Sequence, residues 1–263
     1  MTEFVGWPGV PAVALGAVLT MGTLLWLLSL RLRDVSIVDI FWGPFFLLQA
    51  ALYAAMLPAG FDGRRLLILA LIAVWATRLA THIAMRHAGT GEDRRYARWR
   101  EEHGAAWPMR SLLQVFWLQA VLAWIIGFPL LAALGAPMAW GWLDALGVGL
   151  WLIGFAFEAI GDHQLVAFTR DPANRGRTMR SGLWRYTRHP NYFGDAAQWW
   201  GLWLIATSAG GWWTLFAPVL MTFLLVRVSG VGLLERTIAE RREGYADYLR
   251  TTSAFIPLPP RSR

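Results

Sequence analysis

Apolar residues run along most of this chain in long stretches, which polar loops and breaks rich in glycine and proline separate. A stretch of roughly 20 apolar residues is long enough to cross a bilayer as an α-helix. The pattern predicts seven such helices: Val10–Leu30, Val35–Leu57, Leu66–Met85, Leu112–Leu134, Trp142–Ile160, Tyr192–Thr207 and Trp212–Val228. No internal repeat is visible in the sequence. We therefore expect an all-α, polytopic membrane bundle that forms a single integral membrane domain over residues 1–263.

The composition supports a membrane protein and excludes several kinds of site. The chain is 56% hydrophobic and 16% charged, with a mean hydropathy of +0.41, whereas a soluble domain is about 25% charged. Its 17 Trp and 14 Phe residues suit lipid contact and interfacial aromatic belts. Cysteine is absent, which excludes disulfides and thiolate chemistry. The histidines show no paired ligand spacing, so we expect no metal site.

The arginines predict how the helices are oriented in the membrane. Every basic residue among the 24 is arginine, and the formal net charge is +7. The segment 31–34 holds two arginines, the loops 86–110 and 162–190 hold six each, and the tail from Arg227 holds seven. Basic loops stay on the cytoplasmic side, so the N-terminus should lie outside and the C-terminus in the cytoplasm. Because these arginines sit between apolar spans rather than on one soluble face, we do not expect nucleic-acid binding.

Polar residues recur near the cytoplasmic ends of the predicted spans. Asp39 lies in the second span and His82 in the third, while Asp162 closes the fifth and Asn191 opens the sixth. Ionisable groups inside a membrane are costly and usually face the bundle interior. One interpretation is structural ion pairing, such as Asp39 with Arg78 or Arg33. The other is a polar cavity open to the cytoplasm, which could bind an anionic soluble cofactor while apolar helices admit a lipid-like substrate.

The most specific stretch runs Ser-Gly-Leu-Trp-Arg-Tyr-Thr-Arg-His-Pro-Asn-Tyr-Phe-Gly-Asp over residues 181–195. Through it the chain resembles the steroid 5α-reductase family, and it looks closest to the shorter bacterial relatives. The Asn-Tyr-x-Gly-acid run is shared with sterol C14 and C24 reductases. The resemblance is best over about residues 142–258. It implies about seven membrane spans and the NADPH-dependent reduction of a carbon–carbon double bond. With the arginine pattern, we expect a protein of the bacterial inner membrane whose cofactor site faces the cytoplasm.

The resemblance also implies which residues contact the cofactor. They are Asp162, Arg170, Arg177, Arg188, Asn191, Tyr192, Asp195, Glu235 and Tyr248. An amide and a carboxylate can hold ribose hydroxyls or the nicotinamide carboxamide. Arginines suit the pyrophosphate and the 2′-phosphate, because the guanidinium fork matches phosphate geometry.

The catalytic residues depart from the family pattern. Steroid reductases hold the substrate ketone with a tyrosine of the third span and a glutamate of the second. Here Ile83 takes the tyrosine position, and Asp39 is the acid of the second span. We therefore expect His82, partnered by Asp39, to donate a proton to the developing enolate. The expected substrate is an unsaturated lipid-, isoprenoid- or steroid-like molecule.

Two other classes of function stay open. The run Arg188-His189-Pro190-x-Tyr192-x-Gly194 is similar to that of isoprenylcysteine and phospholipid methyltransferases, which use S-adenosylmethionine. A non-catalytic membrane protein or transporter is the third class, although transporters often carry internal repeats. Asn191 and Asp195 favour the reductase. The sequence therefore predicts an NADPH-dependent membrane reductase, with an S-adenosylmethionine-dependent methyltransferase as the alternative.

Overall fold

Helices make up the computed structural model of the chain, which describes residues 9–58, 63–135, 140–228 and 244–261. Within these ranges there is no β-strand, and an isolated parallel bridge joins Thr187 to Ser253. The all-α prediction is therefore confirmed. Contacts divide the chain into two compact units. The first unit is Met1–Trp140 with Ala209–Gly211, and the second is Gly141–Ser208 with Trp212–Arg263.

The first unit contains three long helices and several short ones. Its α-helices are α1 Gly9–Leu32, α2 Ile37–Ile40, α3 Trp42–Met56, α4 Gly63–His87, α5 Arg94–His103, α6 Trp107–Ser111, α7 Leu118–Ile126 and α8 Phe128–Gly135. A π-helical segment, Leu112–Trp117, joins α6 to α7. Helix α3 packs against α1, α4, α7 and α8, so it lies at the centre of this unit.

The second unit is built around two long helices that pack along each other. Its α-helices are α9 Trp142–Arg170, α10 Pro190–Ser208, α11 Phe216–Phe223 and α12 Tyr245–Thr251. The unit also contains three 3-10 turns, which are Pro172–Asn174, Gly182–Arg185 and Trp212–Leu215. A π-helical segment, Leu224–Val228, follows α11.

Four helical stretches of the described chain are long and apolar enough to cross a membrane. They are Gly9–Leu32, Gly63–His87, Arg94–Gly135 and Trp142–Arg170. Two shorter apolar helices are Trp42–Met56 and Trp212–Val228. These stretches mark an integral membrane protein. The count of seven spans, the orientation of the two termini and the single-domain organisation stay predictions.

Two helix boundaries differ from the prediction for reasons of backbone geometry. The predicted second span is interrupted at Phe41, because α2 ends there and α3 begins at Trp42 with Pro44 in its first turn. Proline is tolerated at that place, where its missing N–H would have no helical partner. Helix α9 continues past Ile160 and ends before Asp171, whose backbone is extended (φ −78°, ψ 116°) because Pro172 follows it.

Glycines allow α9 and α10 to pack at very short range. A Cβ atom added at Gly194 would lie 2.4 Å from the carbonyl oxygen of Gly154 and 2.5 Å from the amide nitrogen of Glu158. One added at Gly201 would lie 2.5 Å from the carbonyl oxygen of Gly147. Small residues at such positions let two helix backbones approach closely in a membrane. The seam between α9 and α10 is therefore fixed in register.

Candidate functional site

In the second unit, the structure brings together an acid and an amide predicted from the sequence. The Nδ2 atom of Asn191 donates a hydrogen bond of 3.0 Å to Oδ1 of Asp162. Asp162 lies on α9 and is 6% exposed, while Asn191 is half-buried at the start of α10. The pair forms because α10 begins at Pro190 against Gly161, where an added Cβ would be 3.1 Å from the proline ring.

Other polar residues follow the same seam along α10. Asp195 is buried one turn after Asn191, and the ring of Tyr192 stacks on that of His189 at 5.3 Å between centroids. Deeper along the helices, Nε2 of Gln198 donates a 2.7 Å hydrogen bond to Oε2 of Glu158. The seam thus carries a row of buried acids and amides inside a largely apolar helix pair.

The C-terminal end of α9 opens into a cleft lined by arginines. The cleft has a volume of about 320 Å³, and Arg170, Arg175 and Arg177 all line it. Asp171 shapes its wall, because its side chain accepts a hydrogen bond from the backbone N–H of Ala173 at 2.9 Å. The sequence had singled out Arg170 and Arg177. It missed Arg175, since no motif marks that position.

Two of the predicted cofactor residues also hold the C-terminal segment in place. The guanidinium group of Arg188 donates hydrogen bonds to the carbonyl oxygens of Leu249 and Thr252. The hydroxyl group of Tyr248 donates to the carbonyl oxygen of Trp184. The last carbonyls of a helix lack helical partners, so Arg188 satisfies those at the end of α12. The cofactor contacts of Arg188 and Tyr248 stay predictions, and Glu235 lies outside the described residues.

In the first unit, Asp39 belongs to a cluster that the sequence did not reveal. Its Oδ1 atom accepts hydrogen bonds from the Tyr96 hydroxyl at 3.2 Å and from Nε2 of Gln119 at 3.4 Å. Its Oδ2 atom lies 3.6 Å from the guanidinium of Arg95. The partners come from α5 and α7, far from Asp39 in the chain, so spacing alone could not have paired them.

The structure shows which groups the Asp39 carboxylate contacts. Among the described residues, this carboxylate contacts Tyr96, Gln119 and Arg95, and it forms no hydrogen bond or ion pair with Arg33, Arg78 or His82. The proposed structural pairing with either of those two arginines is therefore not what the structure shows. His82 is half-buried on α4, one residue before Ile83, and its catalytic role stays a prediction.

A second cleft lies beside this cluster within the first unit. It has a volume of about 360 Å³ and is lined by Ser36, Asp39, Ile83, Arg86, His87 and residues 90–94. Loop contacts form its walls: Nε2 of His87 lies 2.6 Å from Oδ2 of Asp34, and the N–H of Asp93 donates to the Ser36 hydroxyl at 2.7 Å. These contacts hold α2 against the loop that follows α4.

Comparisons with known proteins agree with the resemblance found in the sequence. The family described as "Protein of unknown function (DUF1295)" matches residues 25–252, which is most of the chain. An uncharacterized protein of Schizosaccharomyces pombe is 25% identical over 267 residues, covering 90% of this chain and 76% of that protein.

Curated steroid enzymes match over shorter regions. The 3-oxo-5-alpha-steroid 4-dehydrogenase 1 of Rattus norvegicus is 30% identical over 112 residues, 42% of this chain and 40% of that enzyme. The Bos taurus enzyme of the same name is 39% identical over 67 residues, 25% of this chain and 26% of that enzyme. The chain thus spans less than half of either enzyme, and no solved structure matches it. The chain belongs to the DUF1295 family, and it is similar to steroid 5α-reductases over part of its length.

Proposed function

We propose that this protein is a membrane reductase that uses NADPH to reduce an activated carbon–carbon double bond in a lipid-, isoprenoid- or steroid-like substrate. The observation that supports this most is the Asp162–Asn191 pair, because Asp162 lies on α9, the helix that ends at the arginine cleft. Arg170 follows Asp162 by eight residues, which is about 12 Å along a helix axis. The second unit therefore offers a hydroxyl- or amide-binding pair between α9 and α10 and a phosphate-binding cleft at the end of α9.

The donor set of the second unit fits a phosphorylated dinucleotide. A carboxylate accepts hydrogen bonds from ribose hydroxyls, and a side-chain amide can pair with the nicotinamide carboxamide. Arg170, Arg175 and Arg177 offer guanidinium groups for the pyrophosphate and the 2′-phosphate. When bound, NADPH supplies a hydride. The protein's part in this unit is to bind the cofactor and fix its orientation.

The residues proposed to act on the substrate lie in the first unit. His82 would hold the polar group of the substrate and give it a proton, and Asp39 would be its partner. The carboxylate of Asp39 is fixed by Tyr96 and Gln119, so it is held in one orientation. An apolar substrate agrees with the membrane helices and with the names of the matched enzymes, which act on 3-oxo-steroids.

Methyl transfer from S-adenosylmethionine is the less favoured alternative. The run from Arg188 to Gly194 that suggested it also lies within the part of the chain that resembles the reductases. The matched enzymes are dehydrogenases. The arginine cleft further favours a ligand with several phosphate charges, which S-adenosylmethionine lacks.

The bound cofactor can be identified directly. Protein purified in mild detergent is expected to release NADPH or NADP⁺ on denaturation, and mass spectrometry of the released small molecules would show it. A variant with Arg170, Arg175 and Arg177 all replaced by glutamine should release much less. The matched control is Arg185→Gln, an exposed arginine of the following 3-10 turn. Release of S-adenosylmethionine in place of the dinucleotide would overturn the proposal.

Replacing His82 by alanine tests the substrate side. If His82 donates the proton, turnover should fall about 100-fold or more, which is a usual contribution of general acid catalysis. NADPH affinity should stay close to that of the unaltered protein. Both quantities are measured on one preparation, by NADPH oxidation with an enone substrate and by calorimetry. A large loss of NADPH affinity would instead place His82 in the cofactor site.

A further inference from the structure

Two acids of the cleft of the first unit are already paired with arginines. Glu92 makes two hydrogen bonds with the guanidinium of Arg100, at 2.7 and 2.9 Å. Asp93 is likewise paired with Arg95 at 3.0 Å. The negative charges of Glu92 and Asp93 are therefore already neutralised by Arg100 and Arg95.

Two arginines in the same cleft have no such partner. Neither Arg86 nor Arg94 forms an ion pair with a described residue, and both are exposed. Burial tends to raise the pKa of Asp93, whereas the hydrogen bonds with Arg95 and the positive charge of Arg86 lower it. The lowering effects are larger together, so the pKa of Asp93 lies below its usual value. Arg86 thus acts on Asp93 only from a distance, and both guanidinium groups are available to an anion.

Asp39 adds an available acceptor to this cleft. Its Oδ1 atom is occupied by Tyr96 and Gln119, neither of which is among the residues that line the cleft. Its Oδ2 atom accepts no hydrogen bond from a described residue, since the nearest donor, Arg95, is 3.6 Å away. The Asp39 side chain is 30% exposed. The cleft therefore presents a carboxylate oxygen that is held in place and ready to accept a hydrogen bond.

The position of the cleft indicates where its ligand comes from. Arg86 and His87 form the last turn of α4, one of the helices long and apolar enough to cross a membrane. The end of such a helix lies at the level of the lipid head groups. Arginines exposed at this level attract anionic head groups.

We propose that this cleft binds the head group of an anionic phospholipid. Arg86 and Arg94 bind the phosphate, and Oδ2 of Asp39 accepts a hydrogen bond from a head-group hydroxyl. The ligand is thus a lipid phosphate that also carries a hydroxyl, such as the glycerol of phosphatidylglycerol. Binding at the cleft does not depend on the proposed reaction.

Titrations in neutral detergent test the phosphate contact. Short-chain phosphatidylglycerol should bind the full chain more tightly than short-chain phosphatidylcholine or inorganic phosphate. The double variant Arg86→Gln/Arg94→Gln should lower its affinity about 30-fold, as expected for two arginines near a lipid phosphate. Arg98→Gln, an exposed arginine of α5 outside the cleft, should change it little. An equal loss in both variants, or no preference for phosphatidylglycerol, would overturn the proposal.

A matched pair of lipids tests the hydroxyl contact. Phosphatidylmethanol carries the same phosphate charge as phosphatidylglycerol but lacks the hydroxyls. The unaltered protein should prefer phosphatidylglycerol by about tenfold, the usual effect of a hydrogen bond to a charged group. Asp39→Asn keeps the side-chain shape and should remove most of this preference. Equal binding of the two lipids to the unaltered protein would contradict the role of Asp39, and tight binding of inorganic phosphate alone would identify an anion site rather than a lipid site.

Discussion

Replacing Gly194 by leucine is expected to prevent the second unit from folding normally. The first atom of the new side chain would lie 2.4 Å from the carbonyl oxygen of Gly154 and 2.5 Å from the amide of Glu158. Both are backbone atoms of α9, so they cannot move aside as a flexible side chain would. Overpacking of this kind costs about 3 kcal/mol or more. Thermal unfolding followed by circular dichroism should therefore show a fall of about 10 °C or a loss of folded protein.

The matched control is Gly149→Leu. Gly149 is on α9 as well, but a Cβ atom added there meets nothing within 4 Å. Because leucine favours a helix more than glycine does, this variant should unfold at the same temperature or slightly higher. Equal stability of the Gly194 and Gly149 variants would show that α9 and α10 do not pack along this seam.

Replacing Asp162 by asparagine is expected to weaken NADPH binding strongly while leaving the fold intact. Asparagine keeps an oxygen at the position that accepts the hydrogen bond from Asn191, so the pair can still form. What is lost is the negative charge that strengthens hydrogen bonds from ribose hydroxyls. Hydrogen bonds to charged groups contribute about 1.5–3 kcal/mol, so the dissociation constant should rise by roughly ten- to hundredfold. Calorimetric titration measures it.

His163→Gln is the control for this substitution. His163 follows Asp162 on α9 but is exposed, and its replacement should leave NADPH affinity unchanged. The thermal unfolding temperatures of both variants should match that of the unaltered protein. If Asp162→Asn bound NADPH normally, the acid–amide pair would be a structural contact and the cofactor would have to bind elsewhere.

The apolar pattern predicted the helices well because a membrane segment is specified by local composition. Each predicted span is mostly helical in the described residues, and the long helices Gly9–Leu32, Gly63–His87 and Trp142–Arg170 contain three of them. The helix ends were predicted less well. Helix α9 runs ten residues beyond Ile160, because hydropathy falls there while nothing breaks the helix until Pro172.

The sequence predicted those contacts of the candidate site that join helices adjacent in the chain. The sequence places Asp162 and Asn191 at the facing ends of consecutive spans, and their side chains form a hydrogen bond. The partners of Asp39 could not be predicted in the same way. Tyr96 lies on a short helix after α4, and Gln119 lies in another helix, so only the packing of distant segments brings them to that carboxylate.

Some predicted residues turned out to carry structural contacts as well. Arg188 and Tyr248 both donate to backbone carbonyls and join α12 to the segment before α10. A sequence motif marks a residue without showing whether its side chain faces a ligand or the backbone. Buried backbone carbonyls require hydrogen-bond donors, and only the folded chain shows which side chains supply them.

A comparison of ligand affinities in the unaltered protein tests the proposed function most directly. Purified protein in neutral detergent is titrated in a calorimeter with NADPH, NADH and S-adenosylmethionine in turn. Because arginines are expected to bind the 2′-phosphate, NADPH should bind with a dissociation constant at least about tenfold lower than NADH, and S-adenosylmethionine should not bind measurably. Tight binding of S-adenosylmethionine together with no binding of NADPH would contradict the assignment as a reductase.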